Sequence, residues 1–234
     1  MAAIAVNVAA NTNEPGFRGP IYPDGSFEYV PIPETEPTAR PVPTYGDLGL
    51  ETDVSDVADR PVHLDPEFAG YPHCERYTYG DPHGVKAGPL SNLSAGDYCL
   101  FYATLSTAGT GHPEWVAPEW GAYLIGHFRL ARDPVTGAEY DDLAASERER
   151  FANNAHVKRD PFDAQVLLAG DPDGSRLYDT AVPLSSPDAG ADPNERVTDL
   201  SADSGKGPWW RRPLRFDDTA TDRLLAAVRD STSW

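Results

Sequence analysis

Ala95-Gly96-Asp97-Tyr98-Cys99-Leu100-Phe101-Tyr102-Ala103-Thr104-Leu105 is followed after a loop by Ala122-Tyr123-Leu124-Ile125-Gly126-His127-Phe128-Arg129-Leu130. A Gly-Asp turn leads into one apolar, aromatic run, and a second apolar run carries a glycine inside it. Runs of this length, bounded by turn residues, read as paired strands buried on both faces. This is how a small β-barrel writes two adjacent strands. The expected class is α+β and strand-rich: a mixed β-barrel core with long Pro-rich loops and a few helices.

Working outward, Ala3-Ile4-Ala5-Val6-Asn7-Val8-Ala9-Ala10 reads as a first buried strand. Tyr22-Pro23-Asp24-Gly25-Ser26 has proline at the second position of a turn. Phe27 to Pro33 alternates with period two, and its prolines place it at an edge. The segments around His63-Leu64-Asp65-Pro66-Glu67-Phe68 and Tyr77-Thr78-Tyr79-Gly80-Asp81-Pro82 read as loops. Residues 141–151 suggest a short helix, 164–170 a strand, 171–174 a turn and 176–184 an extended segment. Residues 217–232 suggest a C-terminal helix with Leu224, Leu225 and Val228 on one face. Residues 34–62 and 186–206 read as polar surface excursions of a single domain spanning 1–234.

The 23 prolines and 20 glycines exclude a helical bundle, and 40% apolar residues suffice for a core. The formal charge is −18, from 37 acidic and 19 basic residues. Lys86, Lys158 and Lys206 are the only lysines. An acid-rich, lysine-poor chain of this kind resembles proteins of a halophilic, high-salt cytoplasm. At molar salt the Debye length is about 3 Å, so net charge there reports on solubility rather than on partners. An ordinary acidic protein of a low-salt cell remains open. The two cysteines, Cys74 and Cys99, form no disulfide framework. With no basic segment before an apolar one and no run of about 18 apolar residues, the expectation is a soluble, cytoplasmic protein without a membrane partner.

Three clusters carry candidate chemistry. Asp65, Glu67, Tyr79 and Asp81 place carboxylates around an aromatic segment, which suits acid–base work, metal binding or acceptance of hydrogen bonds from a base. The same residue types also favour turns for purely local reasons. Asn153-Asn154-Ala155-His156-Val157-Lys158-Arg159 is the basic stretch of an acidic middle region and suits a phosphate, or else it complements a helix C-terminus. Lys206-Gly207-Pro208-Trp209-Trp210-Arg211-Arg212-Pro213-Leu214-Arg215 could stack bases and contact phosphates, or its tryptophans could plug the core. His73, Cys74 and His83 make a weak metal set lacking any familiar zinc spacing, so no metal ligand is assigned and the cofactor stays open. There is no Walker loop, no Gly-x-Gly-x-x-Gly after a strand and no Gly-x-Ser-x-Gly elbow, which argues against the common nucleotide-dependent enzymes and serine hydrolases.

Several segments together resemble the nucleotide modification-associated domain 3 family: Asn7 to Thr12, Arg18 to Ile21, and Asp24 to Glu34. His63 to Phe68, Tyr77 to Asp81, Gly96 to Ala103 and Asn154 to His156 extend the likeness in the same order, over roughly residues 4 to 185. The Gly-Asp strand and its Gly-containing partner are also similar to the EVE, ASCH and YTH group of PUA-like barrels. The first resemblance implies a context, the modification of DNA bases or action on modified nucleic acid, with other proteins of such a system as partners. The second implies a reader that holds a modified base in an aromatic cleft.

Two main readings follow. In a binding module, Tyr79, Tyr102, Trp115 or Trp120 stacks an extruded base, Asp81 or Asp97 meets its polar edge, and His156, Lys158 and Arg159 hold the phosphate. In an enzyme, Asp65 and Glu67 do acid–base or metal work on a nucleotide, Arg18 and His156 stabilise developing charge, and Asp81 joins the catalytic set. Convergence of Asp65, Glu67, Asp81 and His156 favours the enzyme, whereas an aromatic cage without paired carboxylates favours the reader. A third reading is a structural subunit anchored by Trp209 and Trp210.

Overall fold

The computed structural model describes residues 1–231. In chain order its strands are β1 (Ala3–Asn7), β2 (Pro20–Ile21), β3 (Ile32–Pro33), β4 (Val62–His63), β5 (Thr78–Asp81), β6 (Tyr98–Thr107), β7 (Trp120–Arg129), β8 (Val135–Thr136), β9 (Val166–Ala169), β10 (Arg176–Pro183) and β11 (Leu214–Phe216). The α-helices are α1 (Gly84–Leu90), α2 (Gly137–Tyr140), α3 (Ala145–Arg148), α4 (Ala155–Lys158) and α5 (Asp218–Ser231). The class is α+β with mixed sheets and few helices. The chain divides into two compact units. One comprises Met1–Val30, Leu100–Gly126 and the chain from Leu177 onward; the other comprises Pro31–Cys99 and His127–Arg176.

The first unit is built on a six-stranded sheet in the order β10-β7-β6-β1-β11, with β2 paired to β6 off that path. The two long apolar runs are its central neighbours. Leu100, Phe101, Tyr102 and Ala103 on β6, and Ala122, Tyr123, Leu124 and Ile125 on β7, have no exposed surface. Burial on both faces explains why these strands show no polar alternation. β1 pairs antiparallel with β11, Ala3 opposite Phe216 and Ala5 opposite Leu214, whereas β2 runs parallel to β6. Among the described residues the sheet's path ends at β10 and β11 instead of closing into a barrel. On α5, Leu224, Leu225 and Val228 are buried as their spacing requires, and Thr232, the expected last residue of this helix, lies outside the described residues. The expected turn is present, with Gly25 at φ +85° donating its N–H to the Tyr22 carbonyl.

The second unit holds a three-stranded sheet, β5-β9-β8, and the β3-β4 pair. β5 and β9 are antiparallel, Tyr79 opposite Leu168 and Gly80 opposite Leu167. Phe151, Val135, Ala164, Leu167 and Ala169 pack behind β9, with Tyr140 and Phe162 stacked alongside.

Several expectations are corrected. Thr78–Asp81 is a strand, not a loop, because Thr78 and Tyr79 favour the pleat while Gly80 and Pro82 mask that preference. Val62 and His63 likewise pair, with Pro33 and Ile32. Of the predicted 27–33 strand only Ile32–Pro33 is regular. The 141–151 helix is instead a single short piece, α3, continued by a 3₁₀ turn at Glu149–Phe151, while α2 ends before the segment begins. Within 34–62, Tyr45 is wholly buried, its hydroxyl donating to the Pro31 carbonyl at 2.8 Å. No described helix is long and apolar enough to cross a membrane.

Candidate functional site

The second unit gathers titratable groups that lie far apart in sequence. β4 and the residues after it supply His63, Asp65 and Glu67, β5 supplies Thr78 to Asp81, and α4 with its flanks supplies Asn153 to Asp163. Asp65 follows His63 through a tight turn at the end of β4, its N–H donating to the His63 carbonyl at 2.9 Å. Gly80 lets α4 approach β5: a Cβ built there would lie 2.8 Å from His156 Cδ2 and 3.1 Å from Asn154 Oδ1.

At the centre stand His63, Asp65 and His156, all buried. Their ligating atoms lie within 4.8 Å of one another. The two imidazole rings meet edge to face, with centroids 4.7 Å apart. His156 Nε2 is 3.6 Å from Asp65 Oδ2. Asp65 accepts the Gly80 N–H at 3.0 Å and the Asn154 amide at 2.8 Å. Asn154 also caps α4, its Oδ1 accepting the His156 N–H.

Each imidazole is braced from behind. His63 Nδ1 lies 2.6 Å from Glu34 Oε2, and His156 Nδ1 lies 2.7 Å from Asp163 Oδ1. Arg159 ties the two braces together: its Nη2 donates to Glu34 at 2.8 Å and its Nη1 to Asp163 at 2.6 Å. Burial would raise Glu34, but hydrogen bonds from His63 and Arg159 outweigh it and hold the carboxyl at about 2. Burial also opposes ionisation of Asp163, and bonds from His156 and Arg159 again win and hold it low. Burial and the neighbouring His63 push His156 down to about 4. Asp65, by contrast, is driven well above the usual carboxylate range by burial, against its bonds from Gly80 and Asn154.

Glu67 and Asp81 are occupied differently. Glu67 is wholly buried and accepts from the Glu75 and Arg76 N–H groups, the Asn153 amide and the Thr78 hydroxyl. Four donors use its lone pairs, so it organises the loop instead of offering a free base. Asp81 accepts from the Tyr79 hydroxyl at 2.9 Å and the His83 N–H at 2.8 Å, with Lys86 Nζ at 3.5 Å. Tyr79 is buried, which pushes its phenol up. Asp97 accepts the Ser94 N–H in the turn before β6. Lys158 donates to Asn153 at 2.5 Å, and burial lowers it. Lys158, Asn153, His73 and Cys74 line an open hollow of about 670 Å³. His73 and Cys74 thus face a hollow, whereas the cluster with metal-ligating geometry is His63, Asp65 and His156.

The remaining candidates, Arg18, Tyr102, Trp115 and Trp120, belong to the first unit. Tyr102 is fully buried, its hydroxyl donating to the Arg212 carbonyl at 2.7 Å, and offers no open face to a base. Trp115 packs edge-on to Tyr123 and over Gly25. Trp209 is buried, with its indole N–H on the Ala191 carbonyl. Arg18 lies 4.5 Å above the Trp120 ring, which meets Trp210 edge-on. Arg18, Arg211, Trp210, Asn7 and Asn11 line a cavity of about 200 Å³, and the buried Nε of Arg18 has no hydrogen-bond partner.

A family model described as nucleotide modification associated domain 3 matches residues 2–226. The chain belongs to that family. No curated protein and no solved structure matches it. The family's name attaches both units to nucleotide-modification systems, since the matched residues span them. Glu34, His63, Asn154 and Asp163 are members of the site that the residue types alone did not single out. The usable signal was His63-x-Asp65, two ligating groups close together in sequence, answered by a distant histidine.

Proposed function

We propose that this member of the nucleotide modification associated domain 3 family is an enzyme acting on a base or nucleotide, with its reactive centre at His63, Asp65 and His156. The observation that carries the reading is the convergence of Asp65 and His156, 3.6 Å apart, inside a hydrogen-bonded frame. Two titratable groups whose surroundings push them in opposite directions are the usual mark of an acid–base or ligand pair. Glu67, Asp81 and Tyr79 position the centre, and Lys158 with Arg159 supplies positive charge beside it. The hollow at Lys158 has a volume suited to a small ligand. The test is incubation with single-stranded DNA, duplex DNA and free nucleotides, at low salt and in molar KCl, followed by mass spectrometry. Wild-type protein should change the mass of one substrate class. Asp65→Asn and His156→Gln should abolish that change while leaving the circular dichroism spectrum intact. Unchanged substrates throughout would refute the reading.

A second reading has its own observation. In the first unit, the unpartnered Arg18 Nε beside Trp120 and Trp210 suits an anion next to an aromatic platform. On that reading the chain holds a base or nucleotide without changing it, in the manner of the PUA-like barrels its strand pair resembles. Binding without turnover, lost in Trp210→Ala, would favour it. Either reading sets the protein in the cytoplasm beside other proteins of a modification system, in keeping with its two free cysteines.

A further inference from the structure

The contact between His156 and Asp65 has an electrostatic peculiarity. Asp163 Oδ1 lies 2.7 Å from His156 Nδ1, so this carboxylate takes the hydrogen of the nitrogen that faces it. In the neutral ring Nε2 then presents a lone pair. That lone pair faces a carboxylate oxygen, Asp65 Oδ2, at 3.6 Å. His63 repeats the pattern: its Nδ1 is taken by Glu34, which leaves Nε2 as the donor atom. Three groups able to donate electron pairs therefore converge in a buried space, and either a proton on Asp65 or a metal cation must separate their lone pairs.

We propose that His63, Asp65 and His156 bind one divalent first-row transition ion, with Glu34 and Asp163 as the carboxylates that orient the two imidazoles. Metal-bound histidines almost always donate their second ring nitrogen to a carboxylate, carbonyl or water, which fixes the tautomer and raises ligand basicity. Both histidines here already have that partner, and Arg159 cross-links the two partners into a rigid frame. Two imidazoles and one carboxylate suit zinc or iron(II), whereas magnesium and calcium prefer all-oxygen sets. Three protein ligands leave at least one position open, the mark of a reactive rather than a purely structural ion. Gly80 contributes by omission, since a Cβ there would press on the His156 ring. A ring turned away from Asp65 would break the ligand set.

The inference concerns the ion alone and is tested without nucleotide or turnover, so its failure is separate from failure of the enzymatic reading. Protein stripped with chelator is titrated with ZnCl₂ by calorimetry and with CoCl₂ by visible absorption. The expected result is one equivalent of each, with cobalt ligand-field bands showing low coordination and X-ray absorption showing two imidazoles on the metal. His63→Gln and Asp65→Asn should each abolish stoichiometric uptake. Glu34→Gln and Asp163→Asn, which leave the ligands in place, should weaken affinity by about 10–100-fold. If the ligand variants do not fold, the count of imidazoles on the wild-type metal still decides. Absence of stoichiometric uptake would overturn the proposal and leave a proton on Asp65 as the charge between the lone pairs. Fewer than two imidazoles on the bound metal would overturn it equally.

Discussion

Replacing Glu34 by Gln should destabilise the protein by an amount that depends on pH in a defined direction. Glu34 is 6% exposed and receives His63 at 2.6 Å and Arg159 through a two-nitrogen fork. Its folded pKa of about 2 lies below the ordinary glutamate value of 4.5. A depressed carboxylate contributes stability above its unfolded pKa and loses it as pH falls through the folded one. At about 1.4 kcal/mol per unit, the gap corresponds to roughly 3 kcal/mol at pH 7 and about 1–2 kcal/mol at pH 3. Urea denaturation of wild type and E34Q at both pH values measures the difference. The variant should lag by about 3 kcal/mol at neutrality, and the gap should roughly halve in acid. A gap below about 1 kcal/mol at pH 7, the range of an exposed pair, would show that the His63–Glu34–Arg159 frame does not stabilise the fold. A gap that does not vary with pH would refute the assignment of the charge to Glu34.

Other outcomes follow from the same geometry. His156, pushed down to about 4, should stay neutral through the pH range where free histidine titrates, and its ring resonances in an NMR titration should not move above about pH 5. Because the unfolded chain takes up that proton first, the His156 contribution to stability falls as pH drops from 6.5 toward 4, and His156→Gln should remove this slope. Gly80→Ala should destabilise by about 1–3 kcal/mol through overpacking against His156, read by urea midpoint. Asn154→Ala removes both the donor to buried Asp65 and the α4 cap, and about 2–4 kcal/mol should be lost in the same assay. Cys74 is buried, and its thiol is pushed up to about 12 by burial and by Glu67. Native protein at pH 8 should therefore resist iodoacetamide, whereas the urea-unfolded chain should take up two equivalents.

Much of the first unit was legible because β6 and β7 announce themselves. A ten-residue strand buried on both faces must be continuously apolar, and Tyr98–Thr107 and Trp120–Arg129 are nearly so. The α5 face was legible for the same reason at a different period. The second unit was harder to read. Gly80 and Pro82 give the segment a loop-like look, and only the pairing of Tyr79 and Gly80 with Leu168 and Leu167 makes it a strand. The site was half visible. Asp65, His156 and Arg159 stood out as chemistry, but Glu34 sits in a proline-rich stretch and its role depends on Arg159, 125 residues away. Pairings of that span leave no local pattern. Glu67 shows the converse, because a carboxylate selected as a catalyst has its lone pairs taken up by its own loop.

That span also has a consequence in time. When the ribosome has released Glu34, His63 and Asp65, the partners that complete the centre do not yet exist: Asn154 follows Asp65 by 89 residues and Arg159 follows Glu34 by 125. At about 5–20 residues per second, the nascent chain spends roughly 4–18 seconds with Asp65, and roughly 6–25 seconds with Glu34, as ordinary hydrated side chains. Whatever reactivity the centre has is withheld from the unfinished chain and begins when α4 docks against β5. A polypeptide cut short before residue 153 would carry half the constellation and none of its chemistry.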